Sequence, residues 1–230
     1  VLKNSECEVH DIGNGVLCFE FTSKSNIIGE GIGKGLHEII EIAEQGDWNG
    51  LVIGNNAKQF SVGANLMFIG MLAMQKQYKV LDKFVSDFQK INMRIRTSKI
   101  PVVVATQGYV LGGGCEISMH CDAGIYAAES YIGLVEVGVG LLPAGGGTKE
   151  FALRASNDFF DGDVQTPTLI KYFKSIATAA VSTSAHEAYD LGYLNKKRDF
   201  ICVNPSMNLK LAKEKVLELS KNYMPPSYRD

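Results

Sequence analysis

The sequence lacks any long apolar run. Of its 230 residues 46% are apolar and 21% charged, yet the longest apolar stretches, 101–105 and 137–147, are short. A membrane-spanning helix needs roughly 18 to 20 apolar residues, so no membrane span is expected. Residues 1–7 show neither an apolar segment nor a small-residue cleavage site, and we expect no secretory leader. The composition is typical of a globular domain and excludes disorder and collagen.

An excess of positive charge is also absent. The chain has 23 Lys and Arg against 25 Asp and Glu, a formal net charge of -2. It offers no basic field to hold a phosphate backbone, so we expect no nucleic-acid partner. The five cysteines form no CxxC pair, and an odd number cannot all pair within the chain. This usage is typical of a reducing compartment, and we expect a cytoplasmic protein.

Glycine is abundant but unevenly distributed, and none follows Gly192. The chain has 24 glycines, about 10% against an average near 7%. Eleven lie between residues 101 and 150, and eight lie in the first fifty. Glycine-rich segments let a backbone approach a ligand closely, which makes them candidate sites. The chain begins with Val1 rather than Met, so we expect it to be part of a longer protein.

Strand and helix patterns alternate along the chain, which predicts an α/β fold with a mainly parallel sheet. A Gly-Asn-Gly turn between two alternating segments predicts an N-terminal hairpin. The predicted elements are a hairpin over 6–21, strands over 51–54, 101–105 and 123–127, and helices over 32–43, 66–96, 151–155, 169–180, 185–191 and 209–219.

The glycines at 29, 31, 33 and 35 raise the possibility of a nucleotide site before the first helix. A dinucleotide fingerprint requires glycine at i, i+2 and i+5. Counted from Gly29 or Gly31, the last of these positions is Lys34 or Leu36, so the fingerprint fails. The GxxxxGK[ST] phosphate loop fails as well. A flexible entry to the helix is the preferred interpretation.

Two further glycine turns each connect a predicted strand to a predicted helix. Gly112–Gly114 leave helix N-terminal N–H groups free, and the turn over 60–65 offers a second backbone donor. Two opposed N–H groups are what an enolate or tetrahedral oxyanion requires. Tight packing of strand against helix is the alternative explanation of these glycines.

Two glutamates accompany these turns. Glu116 directly follows the triple glycine, and Glu136 lies in an apolar, glycine-rich segment. Apolar surroundings desolvate a carboxyl group and raise its pKa, which suits it to acid and base catalysis. Most glutamates are solvated surface charges, and that remains the alternative for both.

Three motifs, Lys58–Leu66, Ala105–Glu116 and Gly133–Thr148, occur in this order. Together they resemble the crotonase (enoyl-CoA hydratase/isomerase) superfamily over roughly residues 6–203, and 184–193 is similar to a fourth family segment. The resemblance implies a crotonase-like core of ββα repeats arranged as a spiral, with a helical C-terminal region. We place the core at 1–203 and the C-terminal helical extension at 204–230.

The resemblance also implies a function. The backbone N–H groups of Ala64 and Gly113 would form an oxyanion hole for the thioester carbonyl of an acyl-CoA. Glu116 would activate water for attack at the β-carbon of a 2-enoyl-CoA, and Glu136 would protonate the α-carbon. No metal is implied, and no cofactor beyond the coenzyme A of the substrate. The implied substrate-binding residues are Lys58, Phe60, Ser61, Gly63, Leu66 and Gly112.

Several alternatives within the family stay open. An isomerase can shift a double bond with one carboxylate, so two glutamates favour a hydratase of fatty-acid β-oxidation. Thioester hydrolases, decarboxylases and a catalytically silent acyl-CoA-binding domain share the oxyanion turns. The family often has Asp where this chain has Asn65, which leaves the substrate loop less certain.

The segment from Thr148 to Val181 is longer than in most single-domain members of the family. Its length, together with the ending at 223–226, resembles the hydratase part fused behind 3-hydroxyacyl-CoA dehydrogenases. The expected partners are therefore a covalently fused dehydrogenase domain and further copies of the chain, since the family forms trimers or hexamers.

Three groups of residues allow two interpretations each. Lys58 could contact a coenzyme A phosphate or be a solvated lysine. The apolar segment from Phe68 to Tyr78 could be core or could line an acyl pocket. Cysteine and histidine near residue 120 could suggest zinc or a nucleophile, but their spacing does not place them on one helical face and no histidine is placed to activate a thiol. The residues considered for zinc are Cys115, His120, Cys121 and Asp122.

Overall fold

A seven-stranded sheet organises the molecule. The computed structural model describes residues 1–227. The strands lie in the sheet in chain order; the first three pair antiparallel and every later pairing is parallel, as the sequence predicts. They are β1 (Leu2–Lys3), β2 (Cys7–Asp11), β3 (Val16–Phe21), β4 (Gly50–Gly54), β5 (Val102–Leu111), β6 (Ala123–Gly133) and β7 (Asp199–Cys202).

Eight α-helices lie within the described residues. The bounds predicted from periodicity are close for most of them, and the first begins and ends within two residues of its apolar stripe. The helices are α1 (Glu30–Gln45), α2 (Leu66–Met74), α3 (Tyr78–Arg96), α4 (Gly113–His120), α5 (Gly147–Asn157), α6 (Thr166–Ala177), α7 (Ala185–Asp190) and α8 (Asn208–Ser220).

Three predicted elements differ from the structure. The single helical region expected over 66–96 is two helices, because Lys76 has a positive φ of 56°, through which a right-handed helix cannot continue. The strands predicted over 101–105 and 123–127 extend to Leu111 and Gly133. Both continue past a register shift between Thr106 and Gly108, so Gly108 and Gly133 lie inside paired strands.

Both faces of the sheet are buried, each under different helices. On one face α1, α3, α4 and α5 enclose a large apolar core around Phe19 and Ile53. On the other face α8 packs on β4, β5 and β6 through Ala212 and Val216, both fully buried. The C-terminal helix thus covers its own chain's sheet. The boundary at residue 203 between core and extension stays a prediction.

The glycines that open α1 have a structural partner. The carboxylate of Glu6 accepts a hydrogen bond from the N–H of Ile32 at 3.1 Å. A methyl group on Gly29 would lie 2.4 Å from this carboxylate, and one on Gly31 would lie 2.9 Å away. These glycines therefore give Glu6 access to the helix N-terminus, where a negative charge is stabilised.

No helix among residues 1–227 has the length and apolar character that crossing a membrane requires.

Candidate active site

The first predicted donor turn lies at the end of the segment that follows β4. The carbonyl of Gly63 accepts a hydrogen bond from the N–H of Ile28 at 2.9 Å. In a trans peptide the carbonyl and the following N–H point in opposite directions, and the described residues contain no cis bond. The N–H of Ala64 therefore points away from Ile28. Gly63 itself has a φ of 91°, which favours glycine.

The second donor turn joins β5 to α4. The carbonyl of Gly112 accepts the N–H of Glu116 at 2.9 Å and so points into the helix. By the same trans geometry the N–H of Gly113, the first residue of α4, points out of the helix end. A φ of 52° at Gly112 makes this sharp turn possible.

The two donor turns are in contact. A methyl group on Gly63 would lie 3.0 Å from the carbonyl oxygen of Leu111 and 3.3 Å from the backbone nitrogen of Gly113. The pairing of Ser61 with Val110 aligns the two segments in parallel. The structure therefore places the peptides before Ala64 and Gly113 side by side, as the motifs predict.

Glu116 is a buried carboxyl on the first turn of α4, and only 3% of its surface is exposed. Its Oε1 atom accepts a hydrogen bond of 2.9 Å from the N–H of Gly147, the first residue of α5. Its Oε2 atom faces Gly145, where a methyl group would lie only 2.4 Å away. The carboxyl group thus lies at the N-terminus of α5, where a negative charge is favoured.

Glu136 approaches the turn at Gly112 from the other side. It begins a short 3-10 helix over Glu136–Val139 after β6. Its Oε1 atom would lie 3.3 Å from a methyl group on Gly112. Its Oε2 atom is buried and has no hydrogen-bond partner among the described residues. Because a buried ionised oxygen without a partner is costly, this environment favours the protonated carboxyl group.

The two glutamates titrate as a pair. Burial, and then the charge of Glu136, raise the pKa of Glu116 to about 8, although N–H groups of residues 145–147 oppose the rise. Burial also raises the pKa of Glu136 to about 7. Since the charge of one acts on the other, the pKa values belong to the pair, which holds one proton near neutral pH. The higher of the two pKa values belongs to Glu116, but the direct contacts favour the opposite distribution. The hydrogen bond from Gly147 favours the charge on Glu116, and the unpartnered oxygen favours the proton on Glu136.

The remaining predicted site residues divide into buried and exposed positions. Phe60 is fully buried and packs on Phe21 with ring centroids 5.3 Å apart. The buried hydroxyl of Ser61 donates to the carbonyl of Asn26 at 2.7 Å and accepts from Gly63 at 3.1 Å. Their side chains therefore shape the turn from the core side. Their backbone N–H groups donate to the carbonyls of Gln107 and Tyr109 at 2.8 and 3.0 Å, so both residues are fully enclosed.

Lys58 and Leu66 lie at the two ends of the same segment and are exposed. Lys58 lines a surface cavity of about 820 Å³ that neither Glu116 nor Glu136 lines. Leu66 is the first residue of α2, whose cap Asn65 accepts the N–H of Phe68 at 3.1 Å. An amide oxygen caps a helix as a carboxylate does, so Asn65 keeps the local geometry.

The apolar helix α2 is mostly exposed. Leu72 is buried and Phe68 packs on Phe84 with centroids 5.8 Å apart, as core residues do. Met71 and Met74 are 47% and 86% exposed. Together with Met67 they border an apolar groove of about 440 Å³. The segment thus supplies both core contacts and an open apolar surface next to the donor turn.

Three contacts that organise the site come from residues that the motifs do not contain. The ring of Phe88 in α3 lies against both Gly113 and Gly145. The buried amide of Asn92, also in α3, donates to the carbonyl of Gly145 at 2.8 Å. His120 lies on α4 one turn after Glu116. The spacing of 116 and 120 is visible in the sequence, but the approach of α3 is not.

The four residues considered for zinc turn to different partners. The buried Sγ of Cys121 contacts the carbonyl of Ile117 at 3.4 Å, while Asp122 accepts the N–H of Val102 at 2.8 Å. His120 bonds Glu116 and Lys149. Burial raises the pKa of the Cys115 thiol well above its ordinary value, which opposes a nucleophilic role.

Comparison with known proteins agrees with this geometry. The sequence profile of the family described as Enoyl-CoA hydratase/isomerase matches residues 11–160. The chain is 30% identical over 148 residues to a "Crotonyl-CoA hydratase" of Syntrophomonas wolfei, covering 64% of this chain and 50% of that protein. An enoyl-CoA hydratase structure from Polaromonas sp. JS666 superposes with a TM-score of 0.76 at 21% identity, covering 93% of this chain and 77% of that one. This superposition confirms the crotonase-like fold.

A longer relative matches almost the whole chain. It is a "Probable 3-hydroxyacyl-CoA dehydrogenase" of Bacillus subtilis, 40% identical over 227 residues. The match covers 98% of this chain but only 28% of that protein. The chain therefore spans about a quarter of the Bacillus subtilis protein and about half of the Syntrophomonas wolfei protein. From the matched profile and the shared fold, the chain belongs to the enoyl-CoA hydratase/isomerase family of the crotonase superfamily.

Proposed function

We propose that the chain hydrates 2-enoyl-CoA thioesters, with Glu116 and Glu136 as the catalytic residues. The observation that carries this proposal is two buried carboxyl groups with raised pKa values beside two adjacent backbone donors. Addition of water to a conjugated thioester requires a base, an acid and a site for the negative charge that develops on the carbonyl oxygen. The two carboxyl groups and the two donor turns support assigning all three roles to this site.

The proposed reaction uses the charge distribution of the pair. Ionised Glu116 takes a proton from water as the water oxygen bonds to the β-carbon. The electrons of the double bond move toward the thioester, and the N–H groups of Ala64 and Gly113 stabilise the resulting enolate oxygen. Protonated Glu136 then gives its proton to the α-carbon. The product is a 3-hydroxyacyl-CoA, and proton exchange with solvent restores the pair.

We propose that the apolar groove along α2 receives the acyl chain. The groove follows directly after Ala64, and its wall is formed by Met67, Met71 and Met74. Methionine side chains adapt to apolar ligands of different shape. Lys58 remains our candidate for contact with a phosphate of coenzyme A, through charge.

The product also suggests a partner. A 3-hydroxyacyl-CoA is the substrate class of 3-hydroxyacyl-CoA dehydrogenases, and a relative with that name matches 98% of this chain. We propose that a dehydrogenase, fused or separate, consumes the product in fatty-acid oxidation. We further propose assembly into trimers or hexamers and a cytoplasmic location, which the five free, buried cysteines suit.

A spectrophotometric assay with crotonyl-CoA tests the reaction, because hydration removes the absorbance of the conjugated double bond. We expect turnover by the wild type, and a fall of at least about 10² in rate for Glu116→Gln and for Glu136→Gln. Gly33→Ala is a suitable control, since its added methyl group would lie 3.9 Å from the nearest side-chain atom.

Unchanged turnover in both glutamine variants would reject the assignment of the catalytic pair. A parallel assay with a 3-enoyl-CoA separates the alternatives. Activity on that substrate alone would identify an isomerase. Binding of acyl-CoA without turnover of either substrate would identify a silent binding domain.

A further inference from the structure

His120 lies on α4 one turn after Glu116, and its imidazole is fully buried. Its Nδ1 atom lies 2.6 Å from the backbone carbonyl oxygen of Glu116. Burial lowers the pKa of His120 to about 3, despite the nearby carboxylate of Glu150, so the ring is neutral. Nδ1 must carry the hydrogen, because a carbonyl oxygen only accepts. Residues at i and i+4 share one face of a helix.

The other ring nitrogen contacts α5. Nε2 lies 2.9 Å from the ammonium group of Lys149, which donates to it. Lys149 also contacts the carboxylate of Glu150 at 2.7 Å, and Arg96 of α3 contacts the same carboxylate at 2.5 Å. Although burial alone would raise it, the charges of Arg96 and Lys149 hold the pKa of Glu150 below its ordinary value. The imidazole is therefore one link in a hydrogen-bonded chain from α5 to the backbone of Glu116.

The loop of three glycines before α5 lies against both side chains of this face of α4. A methyl group on Gly145 would lie 2.4 Å from the carboxylate of Glu116, and one on Gly146 would lie 2.7 Å from Cε1 of His120. Gly147 donates the hydrogen bond to the carboxylate. The imidazole and the carboxyl group thus contact successive residues of one loop.

We propose that His120 is a positioning residue for Glu116, holding the first turn of α5 so that the Gly147 N–H stays directed at the catalytic carboxylate. The inference rests on the proposed hydratase function. It adds a residue that lies outside the three family motifs. It also gives the charged cluster of Lys149, Glu150 and Arg96 a part in the reaction.

The role has a consequence for protonation. Donation from Gly147 favours the ionised form of Glu116, so loss of the imidazole link raises the pKa of this carboxyl. The charged groups near the imidazole are Lys149, Glu150 and Arg96, and the charged group near the Glu116 carboxyl is Glu136. None of these charged groups changes in the His120 variants, and the Lys149→Met variant used below removes one of them on purpose.

The test compares His120→Leu with His120→Asn. Leucine fills the space without hydrogen bonds, whereas the Asn amide nitrogen lies about where Nδ1 does and can donate to the Glu116 carbonyl. We expect kcat of His120→Leu on crotonyl-CoA to fall roughly 10-fold or more with KM nearly unchanged. The acid limb of its kcat profile moves upward by roughly half a pH unit or more. His120→Asn recovers most of both losses.

Tyr223→Phe is the matched control. It removes hydrogen bonds of 3.0 Å to Asp122, in a partly buried network that contacts neither α5 nor Glu116. We expect lower thermal stability in this variant but wild-type kcat and pH profile. A wild-type acid limb in His120→Leu, or equal loss in the Leu and Asn variants, would overturn the positioning role.

A carboxyl ¹³C NMR titration of Glu116 in wild type and in both His120 variants separates this inference from the hydratase assignment. If the wild type does not hydrate crotonyl-CoA, an upward shift of the Glu116 pKa in His120→Leu still supports the positioning role. If His120→Leu does not fold, the positioning role is tested by the Glu116 titration in His120→Asn and in Lys149→Met. An unmoved Glu116 pKa in Lys149→Met then rejects the role.

Discussion

Glu116 and Gly145 are in direct contact. The Oε2 atom of the carboxylate occupies the place where a side chain on Gly145 would begin, and the Phe88 ring lies at the same 2.4 Å from that point. The space between α3, α4 and the α5 loop is therefore filled when residue 145 is glycine. Any side chain there must displace the carboxyl group that we propose to be catalytic, or an aromatic ring.

Gly145→Ala consequently tests the site more than the fold. We expect a loss of at least about 10-fold in kcat, because a 1 Å displacement of a catalytic group is costly. The cost in stability is about 1–3 kcal/mol from overpacking. Gly33→Ala in α1 is the control and gains stability from helix propensity. Steady-state kinetics measures the loss in kcat, and thermal unfolding measures the loss in stability. A wild-type kcat in Gly145→Ala would show that the contact between Gly145 and Glu116 does not matter for the rate.

The pH dependence of the rate follows from the shared proton. At low pH both glutamates are protonated and no base remains, while at high pH both are ionised and no acid remains. Since burial raises the pKa values to about 8 and about 7, we expect a bell-shaped kcat profile with its maximum near neutral pH. A profile that is flat from pH 5 to 9 would exclude this pair as acid and base.

The same pKa values predict how stability changes with pH. An acid whose pKa is higher in the folded state keeps its proton while the unfolded chain loses it, so stability falls as pH rises from 4.5 toward about 8. Glu116→Gln removes this loss. We expect the variant to gain free energy of unfolding relative to wild type, by up to about 1.4 kcal/mol per pH unit in this range. Urea unfolding at pH 5 and pH 8 measures it, with exposed Glu41→Gln as the control.

Glu150 is expected to dominate the stability of the charged cluster around it. Its carboxylate is 2% exposed, while its partners Arg96 and Lys149 are 21% and 43% exposed. Glu150→Ala removes hydrogen bonds to charged groups and costs about 1.5–3 kcal/mol. Asp87→Ala breaks an exposed pair with Lys83 and leaves the stability nearly unchanged, because solvent screens exposed pairs. Urea unfolding at pH 7 compares them. Similar losses in the two variants would show that the cluster is solvated.

The α2 groove predicts an effect that depends on acyl length. We expect the double variant Met67→Ser and Met71→Ser to lower kcat/KM for 2-decenoyl-CoA by roughly threefold or more and to leave crotonyl-CoA unchanged, because each buried CH₂ contributes about 0.8 kcal/mol. Met224→Ser, at a methionine 85% exposed outside α2, serves as control. Equal effects on both substrates would place the acyl chain elsewhere.

Local patterns in the sequence predict much of the fold. The Gly13–Gly15 turn gives a hairpin. The predicted apolar stripe of α1 is fully buried and consists of Ile32, Leu36, Ile39, Ile40 and Ala43, whereas Ile42 is 36% exposed. The break at Lys76 is not visible, because residues 75–77 have good helix propensity and α2 is apolar on every side. Packing of the two helices, rather than propensity, decides that boundary.

The donor turns and both glutamates are also predictable, since each motif is local. The contacts of Phe88 and Asn92, and that of His120 with Lys149, are not, because they join elements more than twenty residues apart. Asn92 and Gly145, for example, are separated by 53 positions. Such convergence is determined by how α3, α4 and α5 pack on the sheet, and periodicity in one segment carries no information about it.

Helix α8 covers the sheet face that the other helices leave open. Its Ala212 and Val216 lie on Val52 and Val103, and Lys213 reaches back to the carbonyl of Ile12. A chain shortened to residue 203 would present three adjacent parallel strands with bare valines to water, a surface prone to self-association. The last helix therefore protects the domain against aggregation as well as completing its core, and any shortened form that is to be studied needs it.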